Sequence, residues 1–230
     1  GRAHSVKGFV SPTQSTLVTN TLRGIRRING SVQRQAIPLL KTDMVNITKK
    51  LTGLIGIRDK ALLLIGFAGA FRRSELVALQ VEDVQFVPEG VVIHLRRGKT
   101  DQNGLGRNVA IPFVKGRHCP VRALKAWLKR SGIESGTLFR RFNRYEQILP
   151  QGLTAQSVAL IIKQRVAQSG LNPEQYSGHS LRAGLVTSAA QAGVSSWKIR
   201  QQTGHKSDLM LQRYIRDSQL FVDHAVCKLW

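Results

Sequence analysis

The sequence has few cysteines and no long apolar run. Its two cysteines, Cys119 and Cys227, lie far apart and form no CxxC pair, so the sequence predicts neither a zinc site nor a disulfide framework. A reducing compartment is therefore expected. No run of about 18 apolar residues and no charged-then-apolar leader occurs. We accordingly expect neither a membrane span nor a secretory signal.

Acidic residues are also scarce. The 230 residues include 13 Asp and Glu against 35 Lys and Arg, which gives a formal net charge of +22. Such an excess goes beyond what solubility requires and is typical of chains that bind a phosphate-rich polymer. A ribosomal or histone-like binder is an alternative with the same composition. Hydrophobic residues make up 42% of the chain, which is enough to bury a full core.

Two segments with different patterns divide the chain. Ser11 and Pro12 are suited to cap and open a helix that runs to about Arg27, and the polar residues after it predict a linker. One helix beside a linker cannot bury its own apolar stripe. We therefore interpret residues 1–34 as the last helix of a truncated domain plus the linker, and residues 35–230 as a second, larger domain.

The larger domain is predicted to be α+β and mostly α-helical. Apolar residues at helical spacing follow capping residues at Thr42 and Thr154, and they follow a helix start at Cys119 and Pro120. Residues 58–70 are more apolar all round than the other helical segments, which predicts a buried central helix.

Between about residues 84 and 111 the apolar period becomes that of strands, with a turn at residues 88–90. This predicts a small antiparallel three-stranded sheet. Lys99 would lie just past the second strand, at the mouth of a Gly-rich hairpin. Residues 137–153 are interpreted as a basic loop suited to tracking a nucleic-acid backbone.

Two histidines, an arginine and a tyrosine are concentrated near the C-terminal end. His179 and Arg182 are three positions apart and share one face of a helix's first turn, where the helix N-terminus favours anions. His205 follows a helix stop at Gly204, and Tyr214 lies about two turns into the next helix. The pattern brings one phenol hydroxyl to cations that suit a phosphate.

Three segments of the larger domain carry distinctive motifs: AFRRSELVAL, SGHSLRAGLVTSAAQAGVSSWKIRQQTGHKS and LMLQRYIRD. They are similar, in order, to the first-arginine box, the second box and the nucleophile segment of the tyrosine recombinases, also called the phage integrase family. The spacings and the intervening hairpin lysine agree as well. The resemblance runs from about residue 35 to the end. It implies a mostly helical catalytic domain with a small sheet, preceded by a DNA-clamping domain.

The resemblance also implies a set of catalytic positions. Arg72 matches the first arginine because it lies two places before the Ser-Glu-Leu triplet, so its neighbour Arg73 is rejected. Glu75 matches the acidic residue that orients the site. The other matches, in chain order, are Lys99, His179, Arg182, His205 and Tyr214.

These side chains suit transesterification at a phosphodiester. Arg72 and Arg182 can bind the non-bridging oxygens bidentately and are not neutralised by deprotonation. His179 and His205 can donate to the same oxygens or accept the proton of the Tyr214 phenol. The product would be a covalent phosphotyrosine.

The implied function is that of a site-specific DNA recombinase, which cleaves and rejoins strands through a 3′-phosphotyrosyl link and supports integration or excision of DNA. Lys99 would protonate the leaving 5′-oxygen, and the reaction would need no ATP, metal ion or other cofactor. The expected partners are double-stranded DNA and further copies of the chain, as a tetramer on paired sites. The tail LFVDHAVCKLW is a candidate contact between protomers. The expected location is the cytoplasm and nucleoid of a prokaryote or the nucleus of a eukaryote.

Two other functions stay open at this point. A type IB topoisomerase uses similar side chains, and relaxation of a plasmid without junctions between two sites would favour it. A DNA-binding module with an inactive site would bind the same duplex. Trapping of a covalent complex on a nicked duplex would exclude that second alternative.

Overall fold

The computed structural model describes residues 2–30, 36–96 and 106–205, and beyond them residues 207, 208, 211, 214 and 226. It divides into two compact units, Gly1–Gln35 and Ala36–Trp230, and each is described by itself. Lys99 and nearly all of the predicted C-terminal tail lie outside the described residues.

The first unit contains α1 (Arg2–Val6), a 3-10 turn (Pro12–Gln14) and α2 (Thr16–Asn29). The prediction of one helix from Ser11 onward is wrong at its start, because Ser15 is extended and separates the turn from α2. Ser11 Oγ lies 2.8 Å from Thr13 Oγ1, and local side-chain bonds of this kind compete with helix formation.

The second unit is mainly helical. Its helices in the described ranges are α3 (Lys41–Thr48), α4 (Gly53–Ala68), α5 (Arg73–Ala78), α6 (Pro120–Ser131), α7 (Ala155–Gln168), α8 (Ser180–Gln191) and α9 (Ser196–Thr203). As predicted, the central helix α4 is buried, with Leu62 and Ile65 fully inside the core, and it packs against α6 and α8. Thr154 caps α7 by accepting a hydrogen bond from the Ser157 N–H at 3.0 Å.

The predicted sheet is confirmed: β1 (Val84–Val87), β2 (Gly90–Leu95) and β3 (Arg107–Pro112) form an antiparallel sheet in that order. Val91 pairs with Ile111 and Ile93 with Val109, and all four side chains are buried. Gly90 approaches β3 so closely that a Cβ there would lie 2.1 Å from the Ile111 carbonyl oxygen. The fold class, α+β with a small three-stranded sheet, is therefore as predicted.

Residues 137–153 are not the basic loop that the sequence predicts. They contain a second antiparallel pair, β4 (Arg140–Phe142) and β5 (Ile148–Gly152). Asn143 organises the turn between them, because its Oδ1 accepts from the Tyr145 and Gln147 N–H groups at 2.9 and 3.0 Å. Arg140 donates to the carbonyl oxygens of residues 135 and 137. Its side chain is therefore bound by the backbone just before the hairpin.

A buried ion-pair cluster joins α4 to α7. One oxygen of the fully buried Asp59 accepts from Arg58 Nε at 2.9 Å, and the other accepts from Arg165 Nε at 2.8 Å. Arg58 also lies over the Phe142 ring, 5.0 Å from its centroid. Because both carboxylate oxygens have charged donors, the buried charge is tolerated. This cluster fixes how the two helices meet.

Candidate active site

The predicted site residues lie at the ends of helices. Arg72 immediately precedes α5, His179 immediately precedes α8, and His205 follows the left-handed Gly204 that ends α9. Arg182 lies in the first turn of α8. Side chains at helix ends are held by rigid elements and still reach a common space, which is what a fixed catalytic set requires.

Arg182 is buried against the turn between α4 and α5. Its side chain is among the largest fully buried ones, at 1% exposure, and its Nη1 donates to the Ala70 carbonyl oxygen at 2.7 Å. Ala70 has a φ of 50°, in the left-handed region that costs a non-glycine residue free energy. The strained turn thus presents a carbonyl that holds the guanidinium.

Arg72 is held by Glu75 in two ways. One oxygen of the buried Glu75 carboxylate accepts from the Arg72 backbone N–H at 2.9 Å, and the other accepts from Arg72 Nη1. A charged bond on both the backbone and the side chain leaves the guanidinium little freedom. The ion pair with Glu75 is therefore compatible with a role of Arg72 as a cation of the site. Its neighbour Arg73 is exposed.

Tyr214 lies beside His179. Its hydroxyl oxygen is 3.0 Å from His179 Nε2, which is within reach for proton transfer. The segment is anchored by the fully buried Leu211, which packs with Val186, Ala190 and Ile199 of α8 and α9. The two helices that adjoin the site histidines thus also hold the phenol.

Arg182 also binds His205: its Nη2 lies 3.2 Å from His205 Nε2. Burial and, next, the positive charge of Arg72 lower the pKa of Arg182 to about 10, while Glu75 opposes the change. The guanidinium therefore stays charged at neutral pH. Among the described residues of the site, several cations surround one carboxylate, that of Glu75. The site therefore favours an anion.

Two histidines of this site make the free protein sensitive to mild acid. Burial is the main cause that lowers the pKa of His205 to about 4, and the charges of Arg182 and Arg72 add to it. The pKa of His179 is also lowered, again mainly by burial. In the unfolded chain a histidine titrates near about 6.5. Between about pH 6.5 and 4 the unfolded state therefore binds more protons, and the free energy of unfolding falls as pH drops.

We expect the melting temperature, followed by circular dichroism, to fall as pH is lowered from 7 to 5. His205→Gln should reduce that fall, because it removes the contribution of His205 to the pH dependence of the free energy of unfolding. That contribution is on the order of 1 kcal/mol once solvent screening of this half-buried group is allowed for. Equal pH dependence in the wild type and the variant would contradict the assigned direction.

The structure brings six of the seven predicted site residues together: Arg72, Glu75, His179, Arg182, His205 and Tyr214. Lys99 lies outside the described residues. Within the described ranges, no group of His, Cys, Asp or Glu side chains is arranged to hold a metal ion. None of the helices in those ranges combines the length and the hydropathy of a membrane span.

Two residues near the site are not among those predicted. Arg107, the first residue of β3, reaches the end of α9, and Thr203 contacts the His205 ring. The sequence holds a signal for Arg107, because strand alternation puts it on the same face as the buried Val109 and Ile111. Charged residues on a buried strand face have a structural or functional partner.

Comparison with known proteins gives a consistent result. A sequence profile of the phage integrase family matches residues 39–220. The integrase/recombinase xerD homolog of Selenomonas ruminantium is 41% identical over 236 residues, which cover 99% of this chain and 68% of that protein.

Solved structures show the same fold. The crystal structure of XerA recombinase superposes with a TM-score of 0.61 at 19% identity and covers 98% of this chain and 77% of the other. XerH site-specific recombinase, solved bound to its difH substrate as a pre-cleavage complex, gives a TM-score of 0.60 at 19% identity. That match covers 83% of this chain but only 53% of XerH, so the chain spans about half the length of XerH.

The family profile covers most of the chain, and the xerD homolog is similar over nearly all of it. The chain therefore belongs to the phage integrase family, the tyrosine recombinases, which are DNA strand-transferring enzymes of site-specific recombination.

Proposed function

We propose that this chain cleaves and rejoins DNA strands by transesterification, with Tyr214 as the nucleophile, and so acts as a site-specific recombinase. The observation that carries the proposal is the 3.0 Å contact between the Tyr214 hydroxyl and His179 Nε2, beside the buried Arg182. A phenol has a pKa of about 10 and is a weak nucleophile until a neighbouring base takes its proton. His179, with its lowered pKa, is neutral at pH 7 and serves as that base.

The bonds in the cleavage step balance without a co-reactant. The Tyr214 oxygen forms a bond to phosphorus, the phosphorus–O5′ bond breaks, and the phenol proton passes to His179. The leaving 5′-oxygen takes up a proton, which we assign to Lys99 on the strength of the family resemblance. The 3′-phosphotyrosyl link keeps the energy of the broken bond, so a 5′-hydroxyl of another strand reverses the step without ATP.

Arg72 and Arg182 are assigned to the non-bridging oxygens of the phosphate. A guanidinium has five N–H donors, and the contacts of Arg182 to Ala70 and His205 use two of them. The remaining donors can bind oxygens that gain charge in the transition state. His205 Nε2 lies 3.2 Å from Arg182 Nη2 and so adjoins these donors.

The wider setting is part of the proposal. Double-stranded DNA is the partner, and the net charge of +22 suits its phosphates. XerH was solved on its difH substrate, and we propose a comparable complex for this chain, with a tetramer on paired sites supporting integration or excision. Residues 35–230 would form the catalytic domain. The apolar residues Leu17, Ile25 and Ile28 of α2 are exposed, which suits residues 1–34 as the last helix of a DNA-clamping domain.

The experiment that tests the function can begin before the target sequence is identified. A library of nicked duplexes with a random core is incubated with the protein, and complexes that survive denaturant are captured and sequenced. We expect covalent complexes enriched in one class of sequence. A nick near the cleavage point releases a short 5′-hydroxyl strand, which makes the step irreversible and lets the complex accumulate.

The other outcomes identify the alternatives. Duplex binding without any covalent complex would contradict the proposal and favour an inactive binding module. Covalent complexes without sequence preference, together with plasmid relaxation and no junctions between paired sites, would favour a type IB topoisomerase.

A further inference from the structure

The hydroxyl of Thr203 is in contact with the imidazole ring of His205. Thr203 is fully buried, and its hydroxyl donates to the Ile199 carbonyl oxygen at 2.8 Å. The same hydroxyl oxygen lies 2.7 Å from His205 Nδ1. A hydroxyl has one hydrogen to donate, and Ile199 receives it. With its hydrogen directed to Ile199, the hydroxyl accepts from His205, and the imidazole proton then lies on Nδ1.

The opposite side of the ring supports the same assignment. His205 Nε2 lies 3.2 Å from Arg182 Nη2. A guanidinium only donates hydrogen bonds, so Nε2 must present its lone pair to Arg182. Both contacts thus specify one neutral tautomer, with Nδ1 protonated and Nε2 accepting from Arg182, a cation of the phosphate site.

Arg107 holds the turn that carries His205. Its guanidinium donates to the carbonyl oxygens of Gln202 and Thr203 at 3.0 and 3.4 Å. These are the last residues of α9, where carbonyl groups have no partner within the helix and where a cation is favoured. The guanidinium also covers Gly204: a Cβ at this residue, whose φ is 69°, would lie 3.0 Å from Arg107 Nε.

Gln202 completes the attachment of this turn. Its side-chain amide donates to the Ala68 carbonyl oxygen at the end of α4, at 2.8 Å, and to that of Ala110 in β3, at 3.2 Å. The end of α9 is therefore bound both to the sheet and to the helix that precedes the Arg72 turn. The side chains that place His205 thus come from α8 (Arg182), α9 (Thr203) and β3 (Arg107).

We propose that Thr203 and Arg107 are positioning residues for strand transfer: Thr203 fixes the tautomer of His205, and Arg107 holds the backbone turn that presents it. The proposal rests on the proposed function. Neither residue belongs to the set that the family motifs predict. Their effect is exerted through His205, and they do not contact the reacting atoms.

The arrangement gives His205 a defined role. Burial, and after it the charges of Arg182, Arg72, His179 and Arg107, lower the pKa of the ring to about 4. In the free protein His205 is therefore neutral, with a lone pair on Nε2. A bound phosphodiester adds negative charge beside the ring and favours the protonated form, in which Nε2 donates to a phosphate oxygen while Nδ1 stays bound to Thr203.

The tautomer can be measured without any DNA. Imidazole ¹⁵N shifts in long-range ¹H–¹⁵N spectra of the free protein at pH 7 distinguish the two nitrogens, and we expect Nδ1 of His205 to be the protonated one. Thr203→Val removes the acceptor and should shift the population towards the Nε2 form. Thr203→Ser keeps the hydroxyl and should behave like the wild type.

The same variants test the effect on the reaction. On a nicked duplex selected from the library, Thr203→Val should form the covalent complex about 10- to 100-fold more slowly than the wild type, with unchanged duplex affinity. Thr203→Ser should recover most of the rate.

Arg107→Gln tests the second anchor. It should slow complex formation and raise the pKa of His205 in the NMR titration, because one positive charge leaves its surroundings. Arg130→Gln, in the exposed last turn of α6, removes the same charge outside the site and is the control for net charge.

The outcomes separate the two proposals. If the wild type reacts and Thr203→Val and Arg107→Gln react equally fast, the positioning roles are wrong and the function stands. If the wild type forms no covalent complex, the function fails, while the NMR comparison still decides the tautomer. A proton on Nε2 in the wild type would overturn the assignment to Thr203 even if Thr203→Val does not fold.

Discussion

Tyr214→Phe is expected to abolish the covalent protein–DNA complex and to leave duplex affinity within about twofold, because the substitution removes the attacking oxygen and no phosphate-binding cation. The ring is kept, so its packing near Ala190, Ile199 and Leu211 is also kept. Complex formation is measured on a nicked duplex by denaturing gel electrophoresis, and affinity by fluorescence anisotropy.

The matched control is Tyr145→Phe. Tyr145 is exposed in the turn between β4 and β5, so this variant removes a phenol hydroxyl outside the site and should react at the wild-type rate. Both variants should also keep the salt dependence of binding, whose logarithmic slope is about −0.9 per neutralised phosphate. A covalent complex formed by Tyr214→Phe would assign the nucleophile to another residue.

Arg182→Gln is expected to slow formation of the covalent complex by about 10² to 10³, as removal of one oxyanion donor does in other enzymes. The substitution removes the charge next to the phosphate and also leaves the Ala70 carbonyl and His205 Nε2 without their donor. Single-turnover rates at saturating protein separate this loss from any change in affinity. Arg182→Lys keeps a charge but not the planar fork, and its rate should fall between those of the wild type and Arg182→Gln.

Because Arg182 is buried, its loss also lowers stability, and a control must separate the two effects. Arg165→Gln removes another largely buried guanidinium, one that binds Asp59 on the α4–α7 side of the domain. It should lower the melting temperature and leave the rate per folded molecule unchanged. An Arg182→Gln enzyme that reacts as fast as Arg165→Gln would contradict the role of Arg182 at the phosphate.

Much of the fold is predictable because local signals and tertiary structure agree. The buried α4 follows from residues that are more apolar all round than the other helical segments, and the sheet follows from strand alternation with Gly90 after the turn. The cap at Thr154 forms as its residue type predicts. In these segments the propensity of the chain and the burial of its side chains favour the same structure.

The errors arise where such signals are weak. The strands β4 and β5 are short and interrupted by a bulge, and the residue with positive φ in their turn is Glu146 rather than glycine. Neither feature appears in strand or turn patterns. In the first unit, Ser15 is extended in a polar run where Pro12 signals a continuous helix.

The residues of the site likewise divide into those that the sequence predicts and those that it misses. Motif spacing predicts Arg72, Arg182 and Tyr214, because these residues stand in the segments that resemble the family. Thr203 and Arg107 act through contacts across 2 and about 95 positions of the chain, respectively. Strand alternation shows that Arg107 needs a partner, but its contact with the end of α9 depends on the packing of the whole domain.

Peptide mapping of the trapped covalent complex tests most directly whether these cations place the Tyr214 phenol at a DNA phosphate. After digestion by protease and nuclease, mass spectrometry should find a nucleotide, joined through its 3′-phosphate, on the peptide that contains Tyr214. A nucleotide on a peptide with Tyr145 or Tyr176, or one joined through a 5′-phosphate, would contradict the account.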